Sequence, residues 1–238
     1  MGALGHYLEE QGIATVGISL IRPQTENTKP PRALWVPFEL GRPFGPPNDP
    51  GFQRRVIVAA LGMLERGDGP VVIADFPDED PRAQPDPGWR PPPLPGDTAM
   101  PLGERLEREI AALQGAHDRW VARRGRTTIG LSGLRMPDIA RYVAAWLGNA
   151  APASPREGFS AILALRFAVD DLKAFCLEAA AGDGKPSSRQ LGDWLWNETA
   201  AGAAFVALRA LGLASENENA KAVLGNFMVP AARVAKAS

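Results

Sequence analysis

Residues 30–56, PPRALWVPFELGRPFGPPNDPGFQRRV, decide how the first part of the chain folds. The stretch contains seven prolines, which disfavour a helix interior or a central strand. It also contains Trp35, Phe38 and Phe44, aromatic side chains that a disordered linker would leave exposed to water. Long ordered loops inside compact domains usually carry a function. The stretch therefore predicts an ordered functional loop, with a purely structural wrap over a sheet edge as the alternative.

Strands and helices alternate on both sides of this stretch. The strand candidates are 13–21, 33–38 and 69–76, whose nearly continuous apolar sequences are typical of parallel sheets. Amphipathic helices are predicted over 2–11 and 51–66. This alternation is the mark of βαβ units. The predicted fold class is therefore α/β, with a small, mostly parallel sheet and flanking helices, followed by a mainly α-helical C-terminal region.

The composition of the chain changes at Pro77. Nine of the 25 residues from Pro77 to Pro101 are proline, a density that prevents regular helices and favours a linker or a surface-wrapping segment. Residues beyond it have the 3.6-residue periodicity of helices. The sequence thus predicts an α/β domain (1–76), a Pro-rich linker (77–101) and a mainly helical region (102–238).

The helical region contains several start signals. Pro137 fits the first turn of one helix. Two capping-box patterns, at Ser154 and Ser187, predict two further helices, the second reaching Leu213 without a break. The β-branched segment TTIGLSG, over 127–133, predicts a fourth strand.

Three carboxylates lie close together on the helix predicted after Ser154, namely Asp170, Asp171 and Glu178. Paired carboxylates can perform acid–base catalysis. Arg166 and Lys173 lie at helical spacing from Asp170, however, and offer ordinary ion pairs. A structural role is therefore the interpretation that we favour.

Composition excludes several function classes. One cysteine, Cys176, and two histidines are too few for a typical zinc site, so no metal is predicted. Cys176 lies on an apolar helical stripe, which predicts a buried and unreactive thiol. A formal net charge of −1 gives no electrostatic reason to expect nucleic acid or an anionic membrane as a partner. No secretory signal and no membrane-spanning run is recognised, so a cytoplasmic location is expected.

Six polar residues follow the first two predicted strands, and residues 22–50 are expected to form an ordered loop system there. Open α/β sheets bind ligands at the carboxyl ends of their strands, so this loop is predicted to line the ligand site. The candidate substrate-binding residues are Arg22, Glu26, Lys29, Arg32, Glu39 and Arg42. Arg42 is the first choice for a carboxylate-binding group, because a guanidinium can bind a carboxylate bidentately. The alternative is a surface ion pair between Arg42 and Glu39.

Three segments of the chain resemble a known protein family. They are GALGHYLEEQGIATVGISLIRP (2–23), ALWVPFELGRPFG (33–45) and DPGFQRRVIVAAL (49–61). In this order and spacing they resemble the C-terminal part of selenoprotein B from glycine, sarcosine and betaine reductases, and its D-proline reductase relative. The resemblance covers residues 2–66. Ala14 stands where the family often has Pro, and Arg42 stands where it often has Asp.

The resemblance implies reductive chemistry on a small amino-acid-like or quaternary ammonium substrate. The redox selenocysteine or cysteine of that family precedes the helix that opens this chain, at a position before Met1. The resemblance therefore implies an external thiol or selenol reductant, from a redox partner protein or an upstream segment, and no cofactor in this chain. The alternatives are a non-catalytic small-anion-binding α/β protein and a helical interaction module.

Overall fold

Three short parallel strands form a sheet whose strand order follows the sequence. The computed structural model describes residues 2–96, 98–148, 150–182 and 184–234, with only the backbone of Arg82. The strands are β1 (Gly17–Ser19), β2 (Arg32–Trp35) and β3 (Val72–Asp75). β2 lies in the centre and pairs in parallel with both neighbours. The chain is thus a mixed α/β protein, as the sequence predicts.

Ten α-helices accompany the sheet within the described residues. They are α1 (Gly2–Glu10), α2 (Arg22–Thr28), α3 (Pro50–Gly62), α4 (Leu102–Arg124), α5 (Met136–Leu147), α6 (Ala161–Ala181), α7 (Ser188–Glu198), α8 (Ala200–Ala214), α9 (Glu218–Phe227) and α10 (Ala231–Val234). Two single turns of 3-10 helix cover Met63–Glu65 and Pro81–Ala83. The C-terminal region is therefore mainly helical.

The chain divides into two compact units between Gln84 and Pro85. The N-terminal unit (residues 1–84) holds the sheet with α1, α2 and α3, and the C-terminal unit (residues 85–238) holds the remaining helices. Each unit has its own core of buried apolar side chains. The boundary falls inside the segment predicted to be a linker.

The core of the N-terminal unit forms between the sheet and α3. Leu34 and Val36 project from one face of the sheet and pack against Val56 of α3. Phe38, Phe52 and Phe76 close this core, with ring centroids 5.5–6.0 Å apart in tilted and edge-on arrangements.

Helix α2 covers the other face of the sheet. Because side chains alternate along a strand, Ser19 and Trp35 point away from α3. Ser19 Oγ contacts Thr25 Oγ1 of α2, and the Arg22 guanidinium lies 5.6 Å from the Trp35 ring centroid. The sheet is therefore enclosed on both sides by helices.

The loop from residue 36 to residue 49 is ordered, as the sequence predicts. The Asp49 side chain accepts a hydrogen bond from the Phe52 N–H at 2.9 Å and so caps α3. The Gln53 amide donates to the Pro46 carbonyl at 3.0 Å. Phe38 is buried, whereas Leu40 is 73% exposed at the tip of the loop.

Two predictions about the N-terminal unit need correction. Residues 22–28 are helical rather than part of a loop, because Pro23 starts a helix well and Arg22 pairs with Glu26 one turn later. The first strand is shorter than residues 13–21 and only half buried, because the Thr15 N–H bonds to the Glu9 side chain rather than to a strand.

The Pro-rich segment has the predicted irregular structure. Among the described residues of 77–101, regular structure is limited to the turn Pro81–Ala83. Its second half belongs to the C-terminal unit, where the Trp89 indole donates to the Ala180 carbonyl at 2.9 Å. Asp86 and Gln190 exchange two hydrogen bonds of 2.8 and 2.9 Å. This half therefore wraps a surface, one of the two predicted roles.

Three predictions about the C-terminal unit are wrong. Residues 127–133 are not a strand, since their N–H groups bond to carboxylates of α6. Ser154 shapes a turn with Arg156, and Ser160 caps α6 instead. The helix after Ser187 breaks at Thr199, whose hydroxyl accepts from the Gly202 N–H at 2.8 Å and starts α8.

Two glycines of the 36–49 loop provide a test of its packing. Gly41 and Gly45 both have positive φ, 87° and 82°. A Cβ at Gly41 would meet nothing within 4 Å, whereas one at Gly45 would lie 2.5 Å from Phe52 Cε1. We expect Gly41→Ala to lower the free energy of unfolding by about 1 kcal/mol through backbone strain alone. Gly45→Ala should lower it by about 1–3 kcal/mol more, because the methyl overpacks the aromatic core.

Urea unfolding followed by tryptophan fluorescence measures both changes. Equal losses for the two variants would show that the loop does not pack on Phe52.

Cys176 is buried, as predicted, with 0% exposure. Burial raises the pKa of its thiol well above the usual value, so little thiolate is present at neutral pH. We expect the native protein to react with a thiol reagent such as dithiobisnitrobenzoate far more slowly than the denatured protein. Rapid stoichiometric labelling without denaturant would contradict this.

Candidate functional site

A cavity of about 500 Å³ lies in the N-terminal unit, on the α2 face of the sheet. Residues of α1, β1, α2 and the start of β2 form its walls, and Leu40 reaches it from the 36–49 loop. A volume of this size suits a small organic ligand. The cavity is therefore the candidate functional site.

Two glycines place α1 at the wall of this cavity. A Cβ at Gly2 would lie 3.0 Å from the Thr28 carbonyl oxygen, and one at Gly5 would lie 3.1 Å from Pro31 Cδ. The His6 ring also lies against this segment, with its Nε2 2.7 Å from the Lys29 carbonyl oxygen. The Gly2-x-x-Gly5 pattern thus serves close helix packing.

At one end of the cavity, Arg32 forms an ion pair with Glu9. Arg32 lines the cavity, and its NH1 group donates to Glu9 Oε1. The same oxygen accepts from the Thr15 N–H at 2.9 Å and from the Thr15 hydroxyl at 3.0 Å. The Thr15 N–H, followed by the Thr15 hydroxyl and Arg32, holds the pKa of Glu9 below its usual value despite partial burial. Glu9 is therefore an anion that fixes both Arg32 and the chain entering β1.

Hydroxyl groups line the cavity along the sheet face. Ser19 Oγ and Thr25 Oγ1 contact each other, and the Thr25 hydroxyl also donates to the Ile21 carbonyl at 3.0 Å. Thr15 and Thr28 add two further hydroxyls. A ligand can thus find hydrogen-bonding groups on one wall, while Leu4 and Leu40 provide apolar surface elsewhere.

The six residues predicted to bind substrate lie in different places. Only Arg32 of these six lines the cavity. Lys29 ends α2 in a left-handed conformation. Arg42 pairs with Glu39 at 3.6 Å and is 44% exposed, which is the surface pair considered as the alternative.

Arg22 and Glu26 lie at the carboxyl end of the sheet, where the sequence places the ligand site. Arg22 Nε lies 2.9 Å from Glu26 Oε1, and Arg22 NH1 also bonds to Asp75 at the end of β3. These three charges form a closed ion-pair cluster beside Trp35. The structure therefore brings Arg22 and Glu26 together, but away from the cavity wall.

Several cavity residues were not predicted from the sequence. Leu4 and Leu8 are one helical turn apart on α1 and line the cavity, while Leu4 is 54% exposed. Their spacing was the available signal, because an apolar pair on a short helix needs a partner. Thr25 lies in the segment 22–50 that is predicted to line the ligand site, and its side chain does line the cavity.

Two of the three carboxylates considered for acid–base catalysis, Asp171 and Glu178, are structural. Asp171 accepts hydrogen bonds from the N–H groups of residues 130–132 at 2.9–3.0 Å and from the Ser132 hydroxyl at 2.6 Å. Glu178 accepts four more, from His117, Thr127 and Thr128. Their lone pairs are thus occupied by the loop that they hold on α6.

A buried glutamate and a half-buried lysine of the C-terminal unit stabilise helix ends. Glu109 accepts from the N–H groups of Ala200 and Ala201 at 2.7 and 3.0 Å, at the start of α8. Lys173 donates to the Phe227 carbonyl at 3.1 Å, at the end of α9. Burial lowers the pKa of Lys173 to about 8. Both side chains therefore form hydrogen bonds with backbone groups at helix ends, which lack partners within the helix.

Within the described ranges, no group of three or more His, Cys, Asp or Glu side chains is arranged to hold a metal ion. In that same part of the chain, no helix combines the length and the apolar composition needed to cross a membrane. Comparison with protein-family models, with curated proteins and with solved structures found no match to this chain.

Glu178→Gln tests the structural role of the buried carboxylate. Burial alone would raise the pKa of Glu178, but hydrogen bonds from Thr127, Thr128 and His117 together lower it. We expect the variant to lose about 1–3 kcal/mol of unfolding free energy at pH 7, because the amide N–H₂ faces other donors. Glu107→Gln, at an exposed position of α4, should change little.

The lowered pKa of Glu178 determines how the stability difference between wild type and Glu178→Gln changes with pH. The contribution of Glu178 is complete above its unfolded pKa of about 4.3 and is lost as the pH falls through the lower folded value. The difference between wild type and Glu178→Gln should therefore shrink below about pH 4. A difference that grows on acidification, measured by urea unfolding, would refute this role.

Proposed function

We propose that the N-terminal unit binds a small carboxylate in this cavity, with the Arg32 guanidinium as the anion-binding group. One observation carries the proposal: Arg32 is the only charged side chain among the described residues that line the cavity. A guanidinium binds a carboxylate through two parallel hydrogen bonds and keeps its charge at any physiological pH. The ligand is therefore small, organic and anionic at one end.

Arg32 keeps hydrogen-bonding capacity for a ligand. Its Nε donates to the Arg66 carbonyl at 3.2 Å, and its NH1 group donates to Glu9. A guanidinium has five N–H donors, and the others of Arg32 have no hydrogen-bond partner among the described residues. Glu9 and a bound carboxylate share the same cation, so Glu9 limits the affinity for anions.

The Arg32→Gln variant tests this function. Titration calorimetry with D-proline, betaine and hexanoate covers carboxylates with and without an amino group. For any that binds, Arg32→Gln should weaken the affinity about 10–100-fold, because charge-assisted hydrogen bonds contribute about 1.5–3 kcal/mol each.

Two matched variants control for the loss of the ion pair. Glu9→Gln also removes the Arg32–Glu9 pair but leaves the guanidinium, so it should preserve or strengthen carboxylate binding. Arg42→Ala should leave affinity unchanged, because Arg42 lies outside the cavity and pairs with Glu39. Equal weakening by Arg32→Gln and Glu9→Gln would mean that Arg32 only maintains the fold.

The second candidate function is reductive chemistry on a bound amino-acid-like or quaternary ammonium substrate, in the manner of the selenoprotein B reductases. The ordered resemblance of residues 2–66 favours it, since this range lies entirely in the N-terminal unit. The thiol or selenol would come from a partner protein or another segment, because Cys176 is buried in the C-terminal core. Arg32 would then hold the substrate carboxylate during attack.

Substrate consumption with dithiothreitol as the thiol source, followed by NMR, tests the reductase candidate. Consumption of glycine, sarcosine, betaine or D-proline that depends on Arg32 and persists in Cys176→Ser would support it. Consumption that is the same with Arg32→Gln would contradict it.

A further inference from the structure

Away from the hydroxyl-bearing sheet face, the walls of the cavity are mainly aliphatic. Leu4 and Leu8 come from α1, Ile21 from the end of β1 and Leu40 from the 36–49 loop. Pro30, Pro31 and Ala33 add further apolar surface. None of the described residues that line it is aromatic or acidic. Away from Arg32, the body of a ligand would therefore contact mainly hydrocarbon.

Among the described residues that line the cavity, none offers a carboxylate or an aromatic ring to a positively charged ligand group. Ammonium and quaternary ammonium groups are bound in proteins by carboxylates or by aromatic faces. Glu9, the carboxylate nearest to Arg32, is not among the residues that line the cavity, and its charge is already paired with Arg32. A zwitterion such as betaine or D-proline would thus place its cation next to the Arg32 cation, among hydroxyl and aliphatic groups without a carboxylate on the wall.

The cavity has room for a ligand larger than an amino acid. At about 30 Å³ for each water-sized group, 500 Å³ has room for roughly 15 non-hydrogen atoms. Betaine or D-proline would fill about half of this space. A straight-chain acid of the length of decanoate or dodecanoate fills it much better.

The rim of the cavity is unusually apolar for a surface. Leu4, Ile21 and Leu40 are 54%, 42% and 73% exposed, and all three line the cavity. Exposed aliphatic side chains that line one cavity favour the binding of an apolar group there. A chain that leaves Arg32 and runs past these residues would remove them from water.

We propose that the cavity selects a medium-chain aliphatic monocarboxylate, whose carboxylate binds Arg32 and whose chain covers the aliphatic wall. This inference rests on the proposed carboxylate-binding function and adds the chemical class of the ligand.

A chain-length series tests the inference on the full chain. Butyrate, hexanoate, octanoate and decanoate are titrated below their critical micelle concentrations. The affinity should rise about fourfold for each methylene that enters the cavity. An affinity that is independent of chain length would overturn the inference.

A pair of isosteres tests the exclusion of a cation. Betaine and tert-butylacetate have the same shape, but a neutral carbon replaces the quaternary nitrogen. We expect tert-butylacetate to bind at least about tenfold more tightly, because its uncharged head needs no partner in the aliphatic wall. Betaine binding as tightly or more tightly would overturn the inference.

Leu40→Ser tests the aliphatic wall at an exposed site where folding is little affected. It should weaken decanoate binding several-fold and leave butyrate binding unchanged. Ile13→Ser, at a 54% exposed position of the same unit outside the cavity wall, should change neither. Equal effects of both substitutions on decanoate would show that the chain binds elsewhere.

The outcomes separate the inference from the proposed function. Arg32-dependent binding of betaine or D-proline, with a flat chain-length series, would overturn the inference and leave carboxylate binding intact. Failure of every carboxylate to bind would overturn both.

Discussion

The N-terminal unit depends on the two-sided hydrogen bonding of β2. The carbonyls of Pro31 and Trp35 accept from Val72 and Phe76 on the β3 side, at 3.0 and 2.8 Å, while the Val36 N–H donates to Ser19 on the β1 side at 2.8 Å. This pairing fixes the register of the sheet, so it also fixes which side chains point to each face. A slip by one residue would exchange the core face for the cavity face.

The C-terminal unit depends on a comparable constraint in α6. Asp171 and Glu178 are seven residues, or about two helical turns, apart, so they lie on the same side of the helix. Together they accept from most of the backbone and hydroxyl donors of residues 127–132, which would otherwise be unpaired near the core. Buried carboxylates whose lone pairs are all occupied in this way serve a structural role, although the same residues on a solvent-lined cavity would be catalytic candidates.

The sequence predicts the parts of this fold that depend on local patterns. The existence of the three apolar strands and of the amphipathic α3 is predicted correctly, because apolar runs and the 3.6-residue period are local signals. The length of the first strand is not. The segment 127–133 is predicted wrongly, since its β-branched residues favour a strand but its partners are side chains 39–51 positions away. The sequence also favours Arg42 over Arg32 as the carboxylate-binding group for the same reason, because distant contacts decide which arginine lines a cavity. Both are single arginines near the ends of predicted elements, and only the packing of α1 through Gly2 and Gly5 places a cavity beside Arg32.

The two faces of the small sheet are covered unequally, and this inequality produces the candidate site. Helix α3 has 13 residues and buries Phe52, Val56 and Ala60 against one face, where the main core lies. Helix α2 has seven residues, about 10 Å of helix, which is too short to cover the other face alone. Helix α1 packs on the end of α2 and on Pro31, so a space remains between the two helices and the sheet. The stability of the N-terminal unit thus comes mainly from packing on the α3 face. A ligand can bind on the α2 face without disrupting this core.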